Sequence, residues 1–172
     1  MQISAKTDYA LRALCELASR GTDAAGAATM KADDIAAAQG IPRSFLDGIL
    51  LDLRHAGIVA SRRGPVGGHR LARPAFAIAL ADVVRATEGP LALVHGAPPE
   101  DLSYDGPAAA LQDVWVALRA AVRSVLEDTT LEQVVAGTLP PAVAALIEDA
   151  RSWQSATRRR GSGRPPAGGQ GA

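Results

Sequence analysis

The chain has little of what several functional classes require. Among its 172 residues there is one cysteine, Cys15. That excludes an intrachain disulfide framework and any cysteine-rich metal site within one chain. No uninterrupted apolar run is long enough to cross a bilayer, and the stretch from Met1 to Tyr9 lacks the apolar core and cleavage site of a signal peptide. These absences predict a soluble, cytoplasmic protein with no membrane partner. The formal net charge is zero at pH 7, so the whole molecule is not a general polyanion binder. No nucleophile–base constellation is visible. Gly64-Pro65-Val66-Gly67-Gly68 lacks the Lys-Ser/Thr that would complete a phosphate loop, so the sequence does not predict an enzyme. The length suits one domain of ordinary size with extensions.

What is present is uneven charge. Residues 54–73 hold five arginines and no carboxylate, whereas residues 88–128 are mostly acidic. Local fields rather than the net figure steer partners. Within the basic stretch, the short apolar runs 58–60 and 70–72 flank a turn made of Gly64, Pro65, Gly67 and Gly68. Glycine supplies the backbone freedom that tight hairpin loops need, so this reads as a β-hairpin. It carries Arg62, Arg63, Arg70 and Arg73, together with His69. Taken alone, it is either a ribbon that grips nucleic-acid backbone or an edge kept soluble by arginine.

The residues upstream favour the first reading. Ser4 is placed to cap a helix reaching about Arg20, with Leu11, Leu14, Cys15 and Ala18 as its apolar stripe and Asp8, Arg12 and Glu16 as a charged ladder. Residues 21–28 form a small-residue loop. A short second helix follows, with Ile35 and Ala36, Ala37 and Ala38 turned inward and Gly40 as its stop. Pro42 suits the first turn of a third helix, whose buried stripe is Leu46, Ile49, Leu50 and Leu53 and which ends at Gly57. The opposite face carries Ser44, Asp47, Gly48, Leu51 and His55, flanked by Arg43. Two helices joined by a Gly-Ile-Pro turn have the form of a helix-turn-helix.

Arg43 and Ser44 can reach phosphates or base edges, and Asp47 can accept from cytosine N4. Gly48 costs about 1 kcal/mol relative to alanine in a helix interior, which calls for a reason such as close approach. Coupled to the basic hairpin, this face reads as a DNA-binding surface and the segment as a winged helix. An ordinary solvated helix face is the competing reading.

Downstream, residues 78–88 predict a helix closed by Gly89-Pro90, and residues 91–106 an irregular loop. From Pro107 a long helix runs to about Asp128, with Leu111, Trp115, Leu118, Val122 and Val125 in alternating steps of four and three. That is the seam of a helix that pairs with another helix, and a homodimer through it suits palindromic DNA. Residues 130–136 and 140–155 predict two further helices, and residues 158–172, rich in Arg, Gly and Pro, a disordered tail.

The fold class expected is mainly α with a small β-hairpin: a winged helix-turn-helix DNA-binding domain plus a long dimerisation helix. Residues 1–73 make the DNA-binding domain, and 74–137 the linker helix, loop and dimerisation helix. Residues 138–157 form a helical extension and 158–172 the tail.

Thr7-Asp8-Tyr9-Ala10-Leu11-Arg12-Ala13-Leu14, then Ile35-Ala36 with Gly40-Ile41-Pro42, then Leu53-Arg54-His55-Ala56-Gly57-Ile58-Val59 resemble the Rrf2 family. It is the family of the IscR, NsrR and CymR transcriptional regulators. The wing Arg63-Gly64-Pro65-Val66-Gly67-Gly68-His69-Arg70-Leu71-Ala72 is the most specific segment, and Asp82 to Gly89 extends the likeness, which covers about residues 1–137.

The resemblance implies a dimeric winged-helix repressor or activator. By match of motif, Ser44 and Asp47 take the positions of base-contacting residues and Arg63 that of a wing arginine entering the minor groove. Arg43, Gly48, Arg62, Gly67, His69 and Arg70 complete the expected interface, although His69 stands where many relatives carry an aromatic residue.

Many relatives hold an iron–sulfur cluster in the region 91–110 on three cysteines, and this chain has none of the three. His95, Glu100, Asp101, Tyr104 and Asp105 occupy the loop instead, and Gln112 falls near the place of a histidine ligand in one branch. Such a cluster needs thiolates, so no cofactor and no metal are expected. Asp8 takes a position that supplies an oxygen ligand in the nitric-oxide-sensing branch; without the cysteines it reads as the partner of Arg12. Partners are then double-stranded DNA, a second copy of the chain, and a small-molecule or protein effector. Signalling through a metabolic enzyme and a lone-cysteine redox switch at Cys15 are the alternatives.

Overall fold

Ser4 opens the first helix: its Oγ accepts the Thr7 N–H at 3.1 Å. Helix α1 then runs Ala5–Ser19 in this computed structural model, which describes residues 2–20, 29–64 and 67–154. Its buried face is Ala10, Ala13, Leu14, Leu17 and Ala18. Leu11 and Cys15, expected on that stripe, lie at its flank and are only partly buried. Small alanines at the contact let α1 pack against four other helices, α2 (Ala32–Gln39), α3 (Arg43–His55), α4 (Leu80–Glu88) and α6 (Leu131–Ala136). Close approach of this kind turns many weak dispersion contacts into a core.

Helix α2 buries Ala32 and Ile35 but turns Ala37 and Ala38 to solvent, contrary to the inward packing expected of its alanines. Alanine carries too little apolar area to decide which way a helix faces. Gly40 stops α2 with φ 60°, and α3 begins after Pro42. Leu46, Ile49, Leu50 and Leu53 are all buried, as their spacing predicts. Gly57, at φ 67°, turns the chain into the hairpin.

The hairpin pairs β1 (Val59–Arg62) with β2 (Gly68–Leu71) antiparallel, Val59 opposite Leu71 and Ser61 opposite His69. A third strand position comes from before α2. Met30 donates to the His69 carbonyl at 2.9 Å and accepts the His69 N–H at 2.8 Å. This close pairing requires glycine at position 68, where a Cβ would stand 2.6 Å from the Met30 carbonyl oxygen.

Helix α4 starts at Leu80, two residues later than predicted, because Ile78 and Ala79 are extended and pair with the start of α6. Leu131 donates to the Ile78 carbonyl at 3.0 Å and is itself fully buried. Thr130 and Gln133 form a reciprocal capping box at the head of α6. Helix α5 spans Leu111–Leu126, later than the predicted start at Pro107, because Gly106–Ala108 forms a 3-10 turn.

The described residues fall into two compact units, one up to Pro140 and one from Pro141. In the second, α7 (Pro141–Glu148) ends well before residue 155. Asp149 caps a following 3-10 turn, its Oδ1 accepting the Arg151 N–H at 2.9 Å. The expected loop 21–28, Pro65 in the hairpin turn and the tail from residue 158 lie outside the described residues. No helix among the described residues is long and apolar enough to cross a membrane.

Candidate nucleic-acid interface

The four buried residues of α3 hold that helix so that Ser44, Phe45, Asp47, Gly48, Leu51, Arg54 and His55 face outward. At Gly48 a Cβ would meet nothing within 4 Å. The chain's own packing therefore does not require the glycine, and its cost to the helix has no compensation inside the molecule.

Arg43, at the N-terminal end of the same face, lies between two carboxylates. Its Nε is 2.7 Å from Asp33 Oδ1, and its Nη1 pairs with Asp47. Both hydrogen bonds stabilise the guanidinium charge. Phe45, more than half exposed, meets Tyr9 edge-on at 6.3 Å between ring centroids, and Arg12 sits over the Tyr9 ring at 5.6 Å. Arg12 also pairs with Asp8 at 3.3 Å and donates to the Gln39 carbonyl, tying α1 to the end of α2. The outward aromatic at 45 carries no periodic signal, since only its neighbour Leu46 fits the apolar stripe.

Arg62 and Arg63 are exposed at the end of β1, and neither forms an ion pair among the described residues. Gly67 closes the turn by donating to the Gly64 carbonyl at 2.8 Å. A Cβ at 67 would clash with backbone atoms of Arg62, Arg63 and Gly64. His69 Nδ1 lies 3.1 Å from Ser61 Oγ. Burial first, and then the positive charge of Arg43, pushes its imidazole below the ordinary histidine value, which favours the neutral form. Arg70 is partly buried and donates to the Leu71 carbonyl at 3.1 Å. Arg73, at the base of the hairpin, donates to Asp82 at 2.8 Å.

Thus the outer face of α3 presents Ser44, Asp47 and Gly48 among the larger Phe45, Leu51, Arg54 and His55, near a ribbon whose Arg62 and Arg63 form no ion pair among the described residues. A helix of this width fits a major groove, and arginine-bearing ribbons suit phosphate or an adjacent minor groove.

The five seam residues of α5 lie together on one helix but none is buried: Leu111 and Leu118 are exposed, and Trp115, Val122 and Val125 half-buried. Trp115 Nε1 is hidden from solvent with no hydrogen-bond partner. Val114 and Val116, which the seam spacing left out, are exposed as well.

Residues 3–137 match the model of the Rrf2 family, described as iron-dependent transcriptional regulators. The chain belongs to the Rrf2 family. This Rrf2 regulator is 52% identical over 155 residues to the HTH-type transcriptional regulator Rv1287 of Mycobacterium tuberculosis, covering 90% of this chain and 94% of that protein. It is 35% identical to the CymR regulator of Bacillus subtilis, across 80% of this chain and 92% of that one. The solved structure of B. subtilis CymR, a global cysteine regulator, superposes with a TM-score of 0.67 at 32% identity, covering 80% of this chain and 98% of that chain. IscR from T. potens superposes at 0.63 with 28% identity, covering 80% and 88%.

The iron dependence in the family's description meets a donor set that does not fit it. The one cysteine, Cys15, lies partly buried on α1, where burial raises its thiol pKa. Glu100 is engaged by Arg119, and Gln112 donates to the Glu100 carbonyl at 3.1 Å. Among the described residues no three His, Cys, Asp or Glu side chains converge on a metal position. Asp8 is the partner of Arg12.

Proposed function

We propose that this Rrf2 regulator is a repressor that binds a palindromic operator as a homodimer and works without an iron–sulfur cluster. The observation that carries the reading is the outer face of α3, where Ser44 and Asp47 flank a glycine with open space above it, next to the bare Arg62 and Arg63. Ser44 and Asp47 read base edges, Gly48 lets the helix sit close to them, and Arg63 enters the neighbouring minor groove. The apolar seam of α5, unburied along its length and exposed at Leu111 and Leu118, supports a two-fold mate, which sets two such helices on two half-sites. A single half-buried cysteine supports a cluster-free protein.

DNA-affinity sequencing with purified protein tests this. The expected product is an inverted repeat bound by two protomers, with a reporter behind it silenced when the protein is expressed. Recovery of no enriched motif would overturn the DNA-reading face, and a direct half-site bound by one protomer would overturn the dimer. A visible charge-transfer band in anaerobically purified protein would overturn the cluster-free state.

A further inference from the structure

Between α4 and α5 lies an open cleft of about 510 Å³ lined by Arg85, Gly89, Pro90, Leu91, Arg119 and Arg123. Its size is that of a small-molecule site. Every charged residue in the lining is an arginine. Arg119 and Arg123 are one helical turn apart on α5 and so share a face, while Arg85 stands across from them on α4. Gly89, Pro90 and Leu91 give the cleft a short apolar floor.

The carboxylates near these arginines sit outside the lining. Glu127 pairs with Arg85 and accepts from Arg123 Nε at 3.0 Å. Glu100 pairs with Arg119. Asp82 Oδ1 lies 3.8 Å from Arg85 Nη1, and its Oδ2 is 2.8 Å from Arg73 Nη2. Among the described residues the three lining guanidiniums thus meet three carboxylates, one of which, Asp82, is shared with Arg73 outside the cleft, and the cluster opens to solvent. Three guanidiniums carry roughly fifteen N–H donors, many more than these carboxylates engage. A surface ion-pair lattice needs no such excess and no cavity.

We infer that this cleft is an effector site for a small organic anion bearing two acidic groups, carboxylate or phosphate, whose binding is felt at the wing through Asp82. One acidic group lies between Arg119 and Arg123, the second reaches Arg85, and the connecting carbons rest on Pro90 and Leu91. Drawing Arg85 into the cleft changes its share of Asp82, the residue that anchors Arg73 at the base of the hairpin. The link to the wing rests on the DNA-binding reading above; the binding site does not.

The test uses the full chain with succinate and 3-phosphoglycerate as probes, and acetate and sodium chloride at matched ionic strength as controls. Thermal unfolding should rise saturably with at least one probe and with neither control. Arg119→Ala/Arg123→Ala should abolish the rise, and Arg123→Gln alone, at a half-exposed position, should weaken it at least several-fold. In wild type the active probe should change affinity for the selected operator by about fivefold or more, while the double variant without anion binds it as wild type does. Absence of any rise beyond the controls, or a rise that survives in the double variant, overturns the site. Saturable binding with unchanged operator affinity overturns the coupling. Absence of operator binding in anion-free wild type, with anion binding intact, counts against the DNA-reading face alone.

Discussion

Thr7 Oγ1 donates to Glu88 Oε1 at 2.9 Å and thereby fastens the first turn of α1 to the last turn of α4. Thr7 is buried, and its hydroxyl also lies 2.7 Å from Thr87 Oγ1. Replacing it by valine keeps the shape but strands polar partners, so Thr7→Val should lower unfolding stability by about 1–2 kcal/mol in urea titration. Hydrogen bonds from Ser4 and then Thr7 hold the Glu88 carboxyl below its ordinary value. A lowered folded pKa stabilises above the unfolded value, and that contribution is lost as pH falls through the folded one. The wild-type advantage over Thr7→Val should therefore shrink on acidification; an advantage that grows would contradict the contact.

The Met30 pairing makes Gly68 a sensitive position. A methyl group there meets the Met30 carbonyl oxygen at 2.6 Å, so Gly68→Ala should cost about 1–3 kcal/mol by overpacking. Helical circular dichroism should stay native while the His69 amide, bonded to Met30, loses protection from hydrogen exchange. Unchanged protection at His69 would refute the bridge.

Arg63 makes no ion pair among the described residues, so its removal leaves no internal charge uncompensated. Arg63→Ala should weaken operator binding at fixed salt, reduce the slope of log affinity against log salt by about 1, and leave the sedimentation coefficient unchanged. An identical gel-shift titration would remove Arg63 from the interface.

Leu118 is exposed near the middle of α5. Leu118→Glu adds a charge where a partner helix would desolvate it. Analytical ultracentrifugation should record a shift toward monomer with little change in helix content. A variant that sediments as wild type does would place the two-fold contact elsewhere.

Cys15 is partly buried, and burial raises its thiol pKa. Since the thiolate is the nucleophile, alkylation by iodoacetamide near neutral pH should be slower than that of free cysteine, and peroxide should not alter DNA binding. Fast alkylation would reopen the redox role.

The helix-turn-helix was legible because strong side chains marked it. Leu46, Ile49, Leu50 and Leu53 fix the face of α3 by spacing alone, and Gly40 and Gly57 fix its borders through positive φ. The orientation of α2 was not legible, because alanine is nearly neutral about burial. The predicted single helix over 140–155 failed at Asp149, where the carboxylate offers the backbone a local partner that competes with the helix. Met30 was invisible because its partner, His69, is far along the chain, and no local pattern encodes a single bridge. Of the candidate interface, the sequence nominates residues but does not show their electrostatic surroundings. Arg43 is balanced by Asp33 and Asp47, and His69 is turned toward its neutral form by its surroundings.

That balance at Arg43 bears on how such a protein searches a genome. If Arg43 faces DNA as proposed, a guanidinium already paired with two carboxylates would gain little from a passing phosphate, and random duplex would be held loosely and released quickly. On the proposed reading, a sequence that offered Asp47 its own donor would loosen that grip and free Arg43 for the backbone, so that recognition of a base and strengthening of the electrostatic hold would come in the same event. In that proposal the acidic pair would act as a brake on unproductive residence, trading affinity everywhere for discrimination at the right place.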